Sequence, residues 1–346
     1  MTLDRSSIDA VDKDGMLGDV LAMPLQLGDA LWRAQSAGIR SVDSPGGLVV
    51  CGMGGSAIGG DIALAALGDR ATRPIHIVRG YGLEPWTSPE TFVLCSSYSG
   101  ETEEVLACFE AAGAAGVRRA VITTGGTLAE AARNEGVPVI GVPSGMQPRA
   151  ALLYGVVGTL ECAALCGAAP FLHAEIDTAT AMLERLVEDW GPDASEDAPP
   201  KRLAAELQGT VPVIHGAGPT VAAARRWHAQ VNENAKAAAF WSDLPEAAHN
   251  EICGWERGRK TAPLSAVFLE DPDHHPRIGR RIELMAAEVD RAGAFAERVK
   301  ARGDSRLERV LSHALLGDLV SVYLAVLEGV DPTPVDAIER LKLDLG

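Results

Sequence analysis

The stretch SSYSGETEE, residues 96–104, sets Ser97, Ser99 and Thr102 in an S-x-S-x-x-T pattern around Gly100 and then turns acidic. It follows the apolar run Phe92-Val93-Leu94-Cys95 and precedes residues 103–110, whose apolar spacing is helical, so the hydroxyls fall on a strand-to-helix turn. The first turn of a helix has backbone N–H groups without intrahelical partners and carries the positive end of the helix dipole. An anion is stabilised there. Three hydroxyl donors, and a glycine that permits close approach, suit a phosphate monoester. The competing reading is local: Ser99 or Thr102 acts only as an N-cap, with Glu103 or Glu104 favoured in the first turn by the dipole.

A second loop with the same context is CGMGGSAIGGD, residues 51–61, where Gly54, Gly55 and Ser56 follow an apolar strand and open a helix. It is neither a clean G-x-G-x-x-G fingerprint nor a P-loop, because no Lys-Ser/Thr follows. Its glycines serve either a ligand or close packing. Downstream, NENAKAAAFWSDLPEAAHNEICGWE (232–256) contains Glu233 and His249, a carboxylate and an imidazole that can divide proton-transfer work if one cleft holds both. Arg149, in GMQPRAAL, opens an apolar helix where a guanidinium can hold negative charge. Each has a plainer reading: a solvated helix residue, a structural histidine, a surface ion pair. His274-His275 lies among prolines and aspartates and reads as a surface turn; Cys162 and Cys166 lack the further ligands of a zinc pattern. No metal site is expected.

The elements that must carry these residues alternate. Strand-like runs at 47–51, 75–78, 92–95, 120–123 and 137–142 are separated by alanine-rich helical segments, which predicts parallel βαβ units with helices on both faces of the sheet. Residues 150–166 read as one long apolar helix. GPDASEDAPPK (191–201) marks a linker, giving an expected division into 1–190, a helical lead-in plus a first α/β domain, and 191–346, a second such domain with C-terminal helices. In the second part, strands are predicted at 211–214 and 264–269, and helices at 221–239, 278–299, 307–327 and 334–343. The segments VVCGMGGSA and PVIHGAGPT repeat one strand-then-glycine arrangement, as two copies of one α/β unit would.

The 346 residues carry a formal net charge of −16, with 31 basic against 47 acidic side chains, which disfavours nucleic acid or an anionic membrane as the main partner. No apolar stretch reaches the roughly 18 residues of a spanning helix, and the first residues are polar and acidic, so a cytoplasmic protein is expected. The six cysteines sit mostly in apolar patterns and read as buried small hydrophobes.

In combination, GMGGSAIGGD, SYSGETEE, PSGMQPRAAL, NENAK and LPEAAHNEICGWE, with the closing DPTPVDAIERLK, resemble the bifunctional phosphoglucose/phosphomannose isomerase family of the sugar isomerase (SIS) superfamily. The resemblance implies two SIS-type, flavodoxin-like three-layer α/β/α domains with mainly parallel sheets. It implies an enzyme that interconverts fructose 6-phosphate with glucose 6-phosphate and mannose 6-phosphate through a cis-enediolate, without cofactor or metal. Ser97, Ser99 and Thr102 would hold the phosphate with help from Ser56, and Gly54 and Gly55 would lie against the substrate. Glu233 would be the base and His249 would assist ring opening. Arg149 would stabilise the enediolate, Lys342 would reach substrate oxygens, and Thr333 would help accept both C2 epimers. A homodimer in which His249 acts in trans is implied as well. One departure from the family pattern is Glu101, where Asn is usual; its carboxylate is expected to turn away from the phosphate. The alternative is a non-catalytic phosphosugar-binding protein on the same fold.

Overall fold

The computed structural model describes residues 2–258, 260 and 262–345. The chain forms two compact units. One comprises residues 22–184 with 303–311, and the other comprises residues 1–21, 185–302 and 312–346. Helices α1 (Arg5–Val11) and α2 (Met16–Leu21) come first in the chain and belong to the second of these.

The first unit alternates: α3 (Met23–Ser36), β1 (Leu48–Cys51), α4 (Gly54–Leu67), β2 (Ile75–Val78), β3 (Phe92–Ser96), α5 (Glu103–Ala114), β4 (Arg118–Thr123), α6 (Gly126–Asn134), β5 (Val139–Gly141) and α7 (Leu152–Leu165). The strands form one sheet in the order β2-β1-β3-β4-β5, and every pairing is parallel. All residues of β1 and β3 are buried, because helices cover both faces; this is why these strands read as continuous apolar runs rather than alternating ones. Val49, Cys51, Val93, Cys95, Val121 and Phe109 meet in one core cluster. Burying an aliphatic or aromatic side chain of this size contributes about 1.5–3 kcal/mol. The strand order reverses direction between β1 and β3, so the crevice at their carboxyl ends is where an open α/β sheet receives a ligand.

The chain continues with α8 (His173–Trp190), α9 (Pro199–Leu207), β6 (Val211–Ala217), α10 (Val221–Asn234), β7 (Phe240–Leu244), α11 (Ile252–Gly258), β8 (Leu264–Glu270), α12 (Pro276–Arg291), β9 (Phe295–Lys300), α13 (Arg306–Glu328) and α14 (Asp336–Leu345). The sheet of the second unit is again wholly parallel, in the order β7-β6-β8-β9. Two of its strands depart from the sequence reading. The helix predicted over 278–299 ends at Arg291, and the residues after it form β9; the helix predicted to reach 239 ends at Asn234, before β7. Both are edge strands with partly exposed residues, and β9 carries Glu297, Arg298 and Lys300 in place of an apolar run.

One expectation about apolar length is also corrected. Helix α13 contains an 18-residue window of mean hydropathy 1.8, long and apolar enough by composition to cross a bilayer, although interruptions such as Asp318 hide it from a search for unbroken runs. In the structure 94 % of that window is buried inside the protein. Of the six cysteines, five are buried and Cys253 is exposed.

The second unit buries two imidazoles almost completely. His215, fully buried on β6, stacks on Phe268 with ring centroids 4.6 Å apart, and its Nδ1 lies 2.8 Å from the Ser242 hydroxyl. His313 is 1 % exposed and its Nε2 donates to the Glu270 carbonyl at 3.0 Å. Burial pushes both side chains down to about 4. A depressed histidine pKa leaves the native state neutral, while the unfolded chain takes up a proton below about 6.5. Stability of this unit is therefore full above pH 6.5 and falls as the pH drops toward 4, by a few kcal/mol for the two together. Urea unfolding followed at pH 7.5, 6 and 5 checks this. His215→Phe should flatten part of the pH dependence, and an unchanged slope in that variant would contradict the assignment.

Candidate active site

The hydroxyl-rich turn joins β3 to α5, at the reversal point of the first sheet. Gly100 has φ 76°, and a Cβ there would stand 2.0 Å from the Gly125 carbonyl oxygen, so only glycine fits the turn. Buried Ser97 closes it from inside. Its Oγ lies 2.8 Å from the Thr102 hydroxyl and accepts the Gly100 N–H at 3.1 Å. Thr102 stands at the N-cap of α5 without a side-chain capping bond, and exposed Ser99 accepts the Glu101 N–H at 3.2 Å. These hydroxyl bonds close the turn itself.

Glu101 turns outward. Its two carboxylate oxygens accept the Thr127 N–H and the Thr127 hydroxyl, each at 2.8 Å, so it closes the first turn of α6, and these bonds pull its pKa below the ordinary value. A carboxylate held this way is favoured by the α6 dipole.

Two other segments of the same unit reach this crevice. A small cavity of about 20 Å³ is lined by Gly55 and Ser56 from α4, Ser96 at the end of β3, Tyr98 from the turn, Pro148 from the segment before α7, and Tyr154 from α7. Arg149 lies in a 3-10 turn, Pro148–Ala151, directly before α7; it is 3 % exposed, and its guanidinium donates to the Gln147 side-chain oxygen at 3.3 Å. The first glycine cluster is in part a packing device. A Cβ on Gly55 would come within 3.1 Å of the Pro148 carbonyl, and one on Gly59 within 2.8 Å of the Gly155 backbone, where α4 and α7 touch. Gly54 takes φ 48° at the start of α4.

Tyr98 is the residue the sequence reading missed. Its hydroxyl donates to the Pro143 carbonyl at 3.1 Å and accepts the Met146 N–H at 3.0 Å, while its own carbonyl accepts the Thr124 N–H and hydroxyl. One side chain between Ser97 and Ser99 thus ties the serine turn to the loop that leads to Arg149. An aromatic flanked by serines on a turn was the available signal, since a buried phenol requires partners.

In the second unit, the motif NENAK is mostly structural. The Asn232 side chain brackets Ala239, accepting its N–H at 3.0 Å and donating to its carbonyl at 3.4 Å. Asn234, fully buried, donates to the Ser321 hydroxyl at 2.8 Å, and Lys236, at φ 52°, donates to the Glu233 and Pro332 carbonyls at 2.8 and 2.9 Å. These bonds fix the end of α10 and hold half-buried Glu233 on its last turn. His249 ends a 3-10 turn, Glu246–His249, is exposed, and makes no hydrogen bond or ion pair among the described residues. Thr333 is 8 % exposed with its N–H on Asp331, and Lys342 is exposed on α14. Arg149 and the serine turn thus lie in the first unit, and Glu233, His249 and Lys342 in the second.

Residues 196–345 match the family model described as the bacterial phospho-glucose isomerase C-terminal SIS domain. A bifunctional phosphoglucose/phosphomannose isomerase of Caldicellulosiruptor bescii is 37 % identical over 298 residues, 85 % of this chain and 88 % of that one. Its counterpart in Aquifex aeolicus is 36 % identical over 86 % of this chain and 90 % of its own. The chain belongs to this isomerase family. A crystal structure of a hypothetical protein from Thermus thermophilus superimposes with TM-score 0.75 at 17 % identity, covering 99 % of this chain and 92 % of that one, which shows that the two share a fold.

The outward Glu101 gives a direct test. Glu101→Ala should lower stability by about 1 kcal/mol or less, as an exposed helix cap does, and leave phosphosugar affinity unchanged. Denaturant unfolding and a binding titration check the two parts; a clear gain in affinity would show that the carboxylate opposes the ligand.

Proposed function

We propose that this family member interconverts fructose 6-phosphate with glucose 6-phosphate and mannose 6-phosphate through a cis-enediolate. The observation that carries the reading is that the residues flanking the serine turn (Ser96, Tyr98), the α4 glycine loop (Gly55, Ser56) and the residue before Arg149 (Pro148) line one small cavity. Ser97, Ser99 and Thr102, assisted by Ser56 and the first-turn N–H groups of α5, hold the phosphate, with the Gly54-Gly55 backbone against the substrate. Ser97 acts chiefly through the shape of the turn, since its hydroxyl already serves Thr102 and Gly100.

The proton alpha to a carbonyl is weakly acidic, so removing it requires a placed base and a counter-charge for the oxyanion. Glu233 is the base and contributes about 10²–10⁴-fold by proton transfer. Arg149 holds the negative charge that develops on the enediolate oxygen, and its burial strengthens that interaction. Lys342 reaches other substrate oxygens. The enediolate is planar at C2, so proton return to either face gives one or the other aldose, with Thr333 helping to accept both. His249 assists ring opening. Its exposure and lack of local partners agree with action in the site of a second copy within a homodimer. This scheme calls for no cofactor or metal, because a base and electrostatic donors perform every step, and a cytoplasmic location follows from the phosphorylated hexose substrates.

The test is turnover of fructose 6-phosphate by purified protein in chelator, with both aldose phosphates detected and Glu233→Gln alongside. Both products should form, and the variant should lose at least about a hundredfold in rate while still being stabilised by the substrate. Stabilisation by fructose 6-phosphate without any turnover in the parent protein would replace the isomerase with a binding protein.

A further inference from the structure

The larger of the two cavities described, about 230 Å³, lies in the second unit between α9, β9 and α13, and none of the residues assigned above lines it. At about 30 Å³ per water molecule it has room for several waters or a small metabolite. Its charge runs against that of the chain. Arg202, Arg298, Lys300 and Arg302 line it with a single carboxylate, Glu297, in a protein whose formal net charge is −16. Arg202 is paired with Glu297 and Arg298 with Glu270, while Lys300 and Arg302 have no carboxylate partner among the described residues.

The wall of the cavity is built rather than incidental. Ser312 and His313 on α13, 2 % and 1 % exposed, both line it. Ser312 accepts the Arg302 N–H at 2.9 Å, which fixes the chain as it leaves β9. His313 spends Nε2 on the Glu270 carbonyl, and burial keeps the ring neutral, so Nδ1 remains an acceptor with no partner among the described residues. Trp190 and Leu316 supply an apolar floor. Two uncommitted cations ask for an anion, and an uncommitted acceptor asks for a donor on the same ligand.

We propose that this cavity binds a small hydroxylated anion, a phosphorylated polyol or hydroxy acid, with Lys300 and Arg302 on the anionic group and His313 accepting from a hydroxyl. The site is separate from the serine turn, and its argument does not rest on the isomerase reading. Its ligand is an effector or a second metabolite rather than the turning-over substrate, since none of the residues assigned to the isomerisation lines the cavity.

The experiment is calorimetric titration of the intact protein with glycerol 3-phosphate, in the presence of saturating fructose 6-phosphate, with glycerol as the uncharged control. The parent protein should bind glycerol 3-phosphate saturably and ignore glycerol. Lys300→Ala/Arg302→Ala should weaken binding about tenfold or more, the loss expected when charge-assisted hydrogen bonds are removed. Both positions are exposed, and Lys300→Gln/Arg302→Gln should behave alike if folding is intact. Unaltered binding in these variants, or no saturable binding in the parent protein, overturns the proposal. Binding that disappears only because fructose 6-phosphate is present also overturns it, by placing the anion at the serine turn.

Discussion

The structure of the first unit depends on how one turn is closed. Between β3 and α5 the backbone must reverse within a few residues and still leave the start of a helix accessible. Gly100 makes this possible by taking a conformation and a proximity to the Gly125 carbonyl that no side chain allows, and the Ser97–Thr102 hydroxyl pair holds the result. Once the turn is set, the parallel sheet brings it beside the start of α4, because β1 and β3 are neighbours with Cys51 opposite Cys95. Close α4–α7 contact at Gly59 and Gly155 then delivers the Arg149 turn to the same edge. Tyr98 fastens turn and loop together through one hydroxyl.

The second unit solves a different problem, the placement of a carboxylate at the end of a helix. Helix α10 is locked against α13 by contacts along its length. Trp227 donates to the His313 carbonyl at 2.7 Å, Arg226 and Asp318 form a two-pronged ion pair with both side chains 2 % exposed, and Asn234 reaches Ser321. Burial drives the Asp318 pKa upward, and the facing guanidinium opposes that shift. Leaving either partner alone in this interior would cost roughly 3–5 kcal/mol, so the pair fixes register more than it adds stability. The register is what keeps Glu233 at a defined height on the last turn.

Much of this was legible in the sequence, and the exceptions share a cause. The central strands β1 and β3, buried on both faces, declare themselves as apolar runs and were read to within a residue; the edge strand β2, IHIV, was read with its observed ends. The strands β7 and β9 were hidden because polar residues interrupt them: β7 reads FWSDL, and the charges of β9, FAERVK, continue the polar pattern of α12. The serine turn was visible as chemistry because small hydroxyls around a glycine have few uses. Tyr98 was not, since its role depends on carbonyl and amide groups nearly fifty residues away in sequence. The structural duties of Asn232, Asn234 and Lys236 were equally out of reach. A sequence shows that a motif is polar, whereas only the fold shows which of its groups are consumed by the backbone.

The central claim is that the β3–α5 turn is an anion site for a sugar phosphate. The most direct measurement is the affinity of fructose 6-phosphate compared with fructose, by calorimetry on the Glu233→Gln protein so that turnover does not interfere. If the turn holds the phosphate, fructose 6-phosphate binds at least about a hundredfold more tightly, in line with two or more charge-assisted hydrogen bonds, and Ser99→Ala narrows the gap. Equal affinities for the two sugars, or a gap that Ser99→Ala leaves untouched, would contradict the account.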